Sequence, residues 1–235
     1  MNIIDAKNIS KSYEKNKRIK AVIKNISLKI KEGSFVVIIG PSGSGKTTLL
    51  NLLSGVIPIS SGELFVNNVN LTELDKESLV KFRKENISFV FQNPNLISYL
   101  TVIQNIEMGK YLSDNPLDIN EIIKLMNLEK LVNKYPNNLS GGEQHKVSIA
   151  RALIKNPKVL FLDEPTISLD NISSKKILSL LLSINEKYKT TIILVTHDRK
   201  IKELSDKVIE LKDGKIILKT VNKIKKDKSI LEKAK

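Results

Sequence analysis

A chain of 235 residues with 41% hydrophobic content is long enough for one cored domain, and its composition is that of neither a disordered segment nor a membrane protein. It has no cysteine, which excludes disulfides and thiolate metal sites and fits a cytoplasmic protein, and its longest apolar runs are strand-sized, well short of the roughly 20 residues that span a bilayer. The net charge of +14 favours an anionic contact, but the lysines are scattered and no RNA-binding or zinc-finger pattern is present, so a lysine-rich surface without a specific nucleic-acid partner is expected.

In chain order, the opening MNIIDAKNIS lacks a basic start followed by an apolar stretch, so no secretory signal is expected. Short Val/Ile-rich runs then alternate with stretches of helical period, the pattern of an α/β fold. Strands are expected around residues 3–9, 36–39, 87–91, 159–162, 192–195 and 207–211. Two more are expected to flank Asp213-Gly214, a pair suited to a tight hairpin. Helices are expected after Gly45, Gly141, Asn171 and Asp198. In the helix after Gly141, Val147, Ala150 and Ile154 form an apolar stripe while Lys146 and Arg151 face elsewhere. Residues 221–235 carry Lys223, Lys225, Lys226, Lys228, Lys233 and Lys235 and read as a basic tail, either solvated or docked on anionic lipid headgroups.

The run Gly40, Pro41, Ser42, Gly43, Ser44, Gly45, Lys46, Thr47 has the spacing of a phosphate-binding loop. The apolar run 35–39 leads into it, and Thr48 and the leucines beyond continue it as a helix. Glycines let the backbone curl so that successive N–H groups converge on one phosphate, and the helix N-terminus adds its positive end. Lys46 supplies a point charge near the outer phosphates, and the Thr47 hydroxyl is a ligand for Mg2+. The motif alone says nucleotide and is shared by kinases, GTPases and ATPases.

Asp163 and Glu164 end the apolar run 159–162 and so lie at the carboxyl edge of the sheet, where open α/β sheets bind ligands. Asp163 is placed to hold Mg2+, and Glu164 to polarise an attacking water. An isolated Asp-Glu pair would read as acids capping a turn. Behind a phosphate loop it points to an ATPase that activates water, since a kinase or GTPase has no need of the adjacent Glu.

Leu139, Ser140, Gly141, Gly142, Glu143 and Gln144 form a second phosphate-facing helix start: a hydroxyl, exposed glycine N–H groups and a forward-aimed dipole. One chain cannot easily bring two such ends to one triphosphate. Two copies arranged head to tail can, each nucleotide lying between the loop of one and the Ser140 end of the other.

On these motifs and their order, the sequence resembles the ATP-binding cassette family over nearly its whole length. The resemblance implies a RecA-like core sheet, an N-terminal antiparallel β subdomain and a short helical subdomain over about residues 93–155, all within a domain of residues 1–220. It implies that Tyr13 stacks on adenine, that Gln92 senses Mg2+ and contacts a transmembrane partner, that Asp170 belongs to the loop crossing the dimer interface, and that His197 is the switch histidine near the γ-phosphate. It further implies ATP and Mg2+ as cofactors, a second copy of the chain and a separate membrane permease as partners, and a peripheral place at the cytoplasmic membrane face. Residues 40–51, 89–96 and 100–107 look most like the lipoprotein-release and macrolide-export group and its FtsE-like cell-division relatives. Two other readings are a regulatory ATPase signalling through a membrane partner, and a soluble cassette acting on ribosomes or DNA. The latter usually carries two cassettes or a long coiled coil. Departures from the family pattern are His145-Lys146 after the signature, where Gln-Arg is common, and Thr166-Ile167-Ser168 before Leu169-Asp170; His145 reads as a tolerated replacement.

Overall fold

The computed structural model describes residues 1–15 and 18–221. Residues 222–235 of the expected basic tail lie outside the described residues, while Val221, its expected first residue, pairs with Lys207 in a sheet.

Two long strands, β1 (Asn2–Lys15) and β2 (Arg18–Lys31), pair antiparallel, and β4 (Ser61–Val66) and β5 (Val69–Asn70) extend them into a four-stranded sheet of order β2-β1-β4-β5. The second sheet contains β3 (Phe35–Ile39), β6 (Ile87–Val90), β7 (Val159–Asp163), β8 (Thr191–Thr196), β9 (Lys207–Lys212) and β10 (Lys215–Val221), in the order β10-β9-β3-β8-β7-β6. From β9 to β6 its pairings are parallel, and β10 closes the edge antiparallel.

The strand β3 shows why this sheet is central. All five of its residues are buried, as a parallel strand covered on both faces requires. Side chains alternate across a strand, so Val36 and Ile38 join one apolar cluster with α1 (Lys46–Leu53) and the N-terminal sheet. Phe35, Val37 and Ile39 join a second with α3 (Val102–Lys110), α4 (Ile119–Leu125), α5 (Gly141–Leu153) and α6 (Asn171–Tyr188). Each fully buried Val, Ile or Phe contributes roughly 1.5–3 kcal/mol, so the sheet that carries the site is anchored on both sides. The helix α2 (Lys76–Asn86) lies ahead of β6, capped by the Asp75 carboxylate on the Ser78 N–H.

The expected stripe on α5 is present: Val147, Ala150 and Ile154 are fully buried. Two expectations change. The segment after Asp198 forms a 3-10 turn, Arg199–Leu204, rather than an α-helix. The strand ahead of Asp213-Gly214 is β9 itself, so that hairpin adds one strand, β10.

Candidate nucleotide site

Residues 40–45 turn between β3 and α1. Gly40 is required by close approach: a Cβ there would collide with the Leu211 carbonyl oxygen of β9. Gly45, the N-cap of α1, has φ 100°, a left-handed value that disfavours a side chain. No side chain caps α1 and its first turn holds no acid, so the positive end of the helix is left for an anion. The Ser44 hydroxyl is buried without a hydrogen-bond partner. The loop is braced by the β9–β10 turn, whose Gly214 N–H donates to Ser44 O and whose carbonyl accepts from Lys24 N–H on β2.

The Lys46 ammonium donates to the Gly40 and Pro41 carbonyls, at 3.0 Å each, and lies 4.0 Å from Glu164 Oε1. The Thr47 hydroxyl donates to Asp163 Oδ1 at 3.1 Å. Burial of Asp163 raises its pKa above the ordinary carboxylate value, the neighbouring Glu164 charge adds to this, and the Thr47 hydrogen bond and Lys46 act in the opposite direction. A carboxylate and a hydroxyl at hydrogen-bond separation are hard oxygen donors suited to Mg2+, which is typically held by one or two carboxylates with phosphate and water completing its shell. No cluster of three or more acidic, histidine or cysteine ligands exists among the described residues.

Glu164 follows β7 at φ 49°, an uncommon conformation for a residue with a Cβ, of the kind that clusters at functional sites. The backbone is held there by Glu164 N–H to Val195 O and Ile167 N–H to Glu164 O. The carboxylate accepts from His197 Nδ1 at 2.7 Å. Parallel pairing of β7 beside β8, and of β8 beside β3, brings Asp163, Glu164, His197 and the phosphate loop to one edge, as the sequence anticipated.

These residues border a cavity of about 640 Å³ lined by Ser42, Gly43, Gly45, Lys46, Thr47, Thr48, Gln92 and Glu164, together with Lys20, Ala21, Val22 and Lys24 of β2, Ile167, Asp213 and Gly214. Sequence reasoning missed the β2 residues and placed Asp213 only in a turn. Tyr13, the expected adenine platform, does not line this cavity. It pairs with Lys20 across the β1–β2 ladder, is 44% exposed, and carries the Lys11 ammonium 5.2 Å from its ring centre.

The expected signature residues stand apart from the cavity, at the start of α5. Ser140 and Glu143 form a reciprocal cap: Glu143 Oε2 accepts from Ser140 N–H at 2.7 Å, and Ser140 Oγ accepts from Glu143 N–H at 3.4 Å. That backbone bond is the main cause holding the Glu143 carboxyl below its usual pKa. Gln144 donates to the Pro136 and Leu139 carbonyls. The side chains of Glu143 and Gln144 therefore hold the helix start, and the N–H groups of Gly141 and Gly142 are what it offers outward. Gly142 packs beside Ser173 and Gly141 beside Leu169. Asp170 caps α6, accepting from Ile172 N–H, Ser173 N–H and Ser173 Oγ. His145, read from sequence as a tolerated replacement, is buried, with Nδ1 3.0 Å from Gly141 O and Nε2 3.2 Å from Gln92 O.

A phosphate loop, a carboxylate pair, a histidine on that pair and a second, capped glycine helix start on this two-sheet fold define an ATP-binding cassette, a class of ATPase. The model of the ABC transporter family matches residues 23–167, and the chain belongs to that family. It is 44% identical over 218 residues to a putative ABC transporter ATP-binding protein of Mycoplasma genitalium, covering 92% of this chain and 47% of that protein. It is 40% identical to a macrolide export ATP-binding/permease protein of Campylobacter jejuni, covering 98% of this chain and 36% of that one. The chain thus spans about half or less of the length of these two relatives. Among solved structures it matches the dimeric, ADP- and Pi-bound cassette MJ0796, of Methanocaldococcus jannaschii, with a TM-score of 0.84 and 38% identity over 93% of this chain and 98% of that one.

Proposed function

We propose that two copies of this chain bind two Mg-ATP head to tail, hydrolyse them, and drive a separate membrane permease of macrolide-export or lipoprotein-release type from a peripheral position at the cytoplasmic membrane face. The observation that carries the dimeric reading is the separation of the two helix ends: the cavity gathers the loop of α1, Glu164 and Gln92 but not the Ser140 end of α5. The dimeric cassette to which the chain is similar supports the same arrangement.

In this reading the loop N–H groups and Lys46 cradle the phosphates, with Lys46 exchanging its two loop carbonyls for phosphate oxygens. Thr47, Asp163 and Gln92 are the residues that would hold Mg2+, which would supply positive charge to the phosphate oxygens. Tyr13, whose ladder partner Lys20 lines the cavity, stacks on adenine in this reading. Glu164 takes the proton of the attacking water, and His197, hydrogen-bonded to it, fixes the orientation of its carboxylate. Ser140, Gly141 and Gly142 of the second copy complete the shell around the γ-phosphate, with Asp170 at the same interface and Glu143 and Gln144 supporting that end. Residues 1–220 act as the ATP-binding domain and residues 93–155 as its helical part.

Permease docking is assigned to a groove between α2, β6, α3 and α5. It is lined in part by Val56, Val80, Phe91, Met108, Tyr111 and Leu112, all of them exposed apolar residues. Large apolar side chains collected in one groove mark an interaction surface. No helix among the described residues is long and apolar enough to cross a membrane. The test is affinity purification of tagged Glu164→Gln protein from solubilised membranes with Mg-ATP. Recovery of a polytopic membrane protein is expected. Recovery of ribosomal proteins or nucleic acid with no membrane protein would overturn the partner assignment.

A further inference from the structure

Gln92 stands at the start of an irregular segment, residues 92–100, between β6 and α3. Its anchors lie on the helices. His145 Nε2 meets Gln92 O, Arg151 Nη2 donates to Pro94 O at 2.9 Å, and Asn105 accepts from Ile97 N–H at 2.8 Å and donates to the Ile97 and Leu100 carbonyls. These hydrogen bonds of residues 92–100 run to α3 and α5, and Leu100 N–H closes on Ile97 O within the segment. His145 sits five residues past Ser140, on the first turns of the helix whose start faces outward, and it is 1% exposed. Its other ring nitrogen faces Gly141 O, within the glycine pair itself. One buried ring thus joins the signature end to the backbone of the residue that lines the chain's own nucleotide cavity.

We infer that His145 is a positioning residue that makes the signature helix and Gln92 one moving body, and so couples the two ATP sites of a dimer. The inference rests on the head-to-tail reading. There, the Ser140 end of one copy closes on the nucleotide held by the other, while Gln92 of that same copy lies at its own nucleotide. A force on the helix start from one site therefore reaches Gln92 at the second site most directly through His145, with Arg151 of the same helix holding Pro94 two residues further on. Energetic coupling of this kind needs a contiguous linkage and an element with two arrangements; closed and open positions of α5 against the facing nucleotide supply the latter. Coupling is reciprocal, so nucleotide at Gln92 would equally favour closure of the signature end on the opposite site. A neutral imidazole carries one ring N–H; with the proton on Nε2 it donates to Gln92 O, and an apolar side chain of similar size would leave that carbonyl without its partner.

The chain has no cysteine, so a single one introduced at exposed Asn93 can carry a unique spin label. The label goes on a copy that also bears Lys46→Ala, which disables its own phosphate loop. That copy is mixed with unlabelled Glu164→Gln protein and Mg-ATP, and mixed dimers are isolated by separate affinity tags. At an ATP concentration between the two copies' affinities, nucleotide is held by the unlabelled copy and closed on by the labelled copy's signature helix. Immobilisation of the label on adding ATP is expected. His145→Leu in the labelled copy should abolish the response while mixed dimers still form, and His145→Gln, which keeps a donor, should restore it. If His145→Leu fails to fold, His145→Asn, too short to reach Gln92 O, takes its place with the same expected loss. A full response in the donor-less or shortened variant, or no response in the parent despite dimer formation, would overturn the inference. Absence of any ATP-dependent dimer in the parent mixture would instead overturn the head-to-tail reading on which it stands.

Discussion

Two glycine-bearing loops run into helix starts in this molecule, and they are finished in opposite ways. The start of α1 has Gly45 as its N-cap, no side-chain cap, no acid in its first turn and an unpartnered buried hydroxyl at Ser44. The start of α5 has a complete Ser140–Glu143 capping box, with Glu143 in its first turn. An uncapped helix N-terminus inside a cavity leaves its donors and its positive end open to an anion, whereas a capping box satisfies part of the end from within the chain. In the proposed reading, the contrast separates a primary phosphate site, organised around its ligand, from a secondary end that is stable alone and is presented to a nucleotide held elsewhere. Asp163 and Glu164 side with the first end, beside Thr47 and Lys46.

If that division is right, the largest effect on rate should come from the group beside the first end. Glu164→Gln should lower ATP hydrolysis by about 10²–10⁴-fold and leave ATP affinity near the parent value, measured by single turnover and by equilibrium binding; an undiminished rate would remove Glu164 as the base. Lys46→Ala should instead lower affinity, by about 10–100-fold for the loss of a charged hydrogen bond of roughly 1.5–3 kcal/mol. Calorimetric titration with ATP measures this directly.

The second end should answer in stability as well. Ser140→Ala removes a cap worth about 1 kcal/mol, equivalent to about 2–4 °C in melting temperature for a chain of this size. Its ATP affinity as an isolated monomer should not change, because that end does not line the cavity. The smallest effect carries the opposite sign. Asp163 is buried with a raised pKa, so its ionised form costs folding stability at neutral pH. Asp163→Asn, which still accepts from Thr47, should raise the melting temperature while losing Mg2+-dependent hydrolysis, seen by thermal denaturation with and without Mg-ATP.

The first end was legible in the sequence because its parts are local. The glycines, Lys46, Thr47 and the flanking apolar run lie within a few residues of one another, and the carboxylate pair is marked by the apolar strand ahead of it. What the sequence did not reveal depends on pairing between distant segments. The approach of β2 to the loop, which puts Lys20, Val22 and Lys24 on the cavity wall, follows from a 14-residue antiparallel ladder with no marker on β2 itself. Asp213-Gly214 announced a turn, but only the parallel seating of β9 beside β3 carries that turn to Ser44. His145 looked like a neutral replacement because its partner, Gln92 O, is a backbone atom 53 positions away, and a carbonyl leaves no signature in sequence. The helix expected after Asp198 is a 3-10 turn, a distinction that a short apolar pattern does not encode.

The central claim, that each nucleotide is shared between the α1 end of one copy and the α5 end of the other, is tested most directly by complementation. One chain carries Lys46→Ala with its signature intact; the other carries Gly141→Asp, which sets a negative charge at the outward end of α5, with its phosphate loop intact. Each alone should be nearly inactive. An equal mixture should recover about a quarter of the parental ATPase rate, since random pairing makes half the dimers mixed and each mixed dimer has one intact shared site. No recovery in a mixture that demonstrably forms mixed dimers would contradict the shared site and place the whole of the chemistry within a single chain.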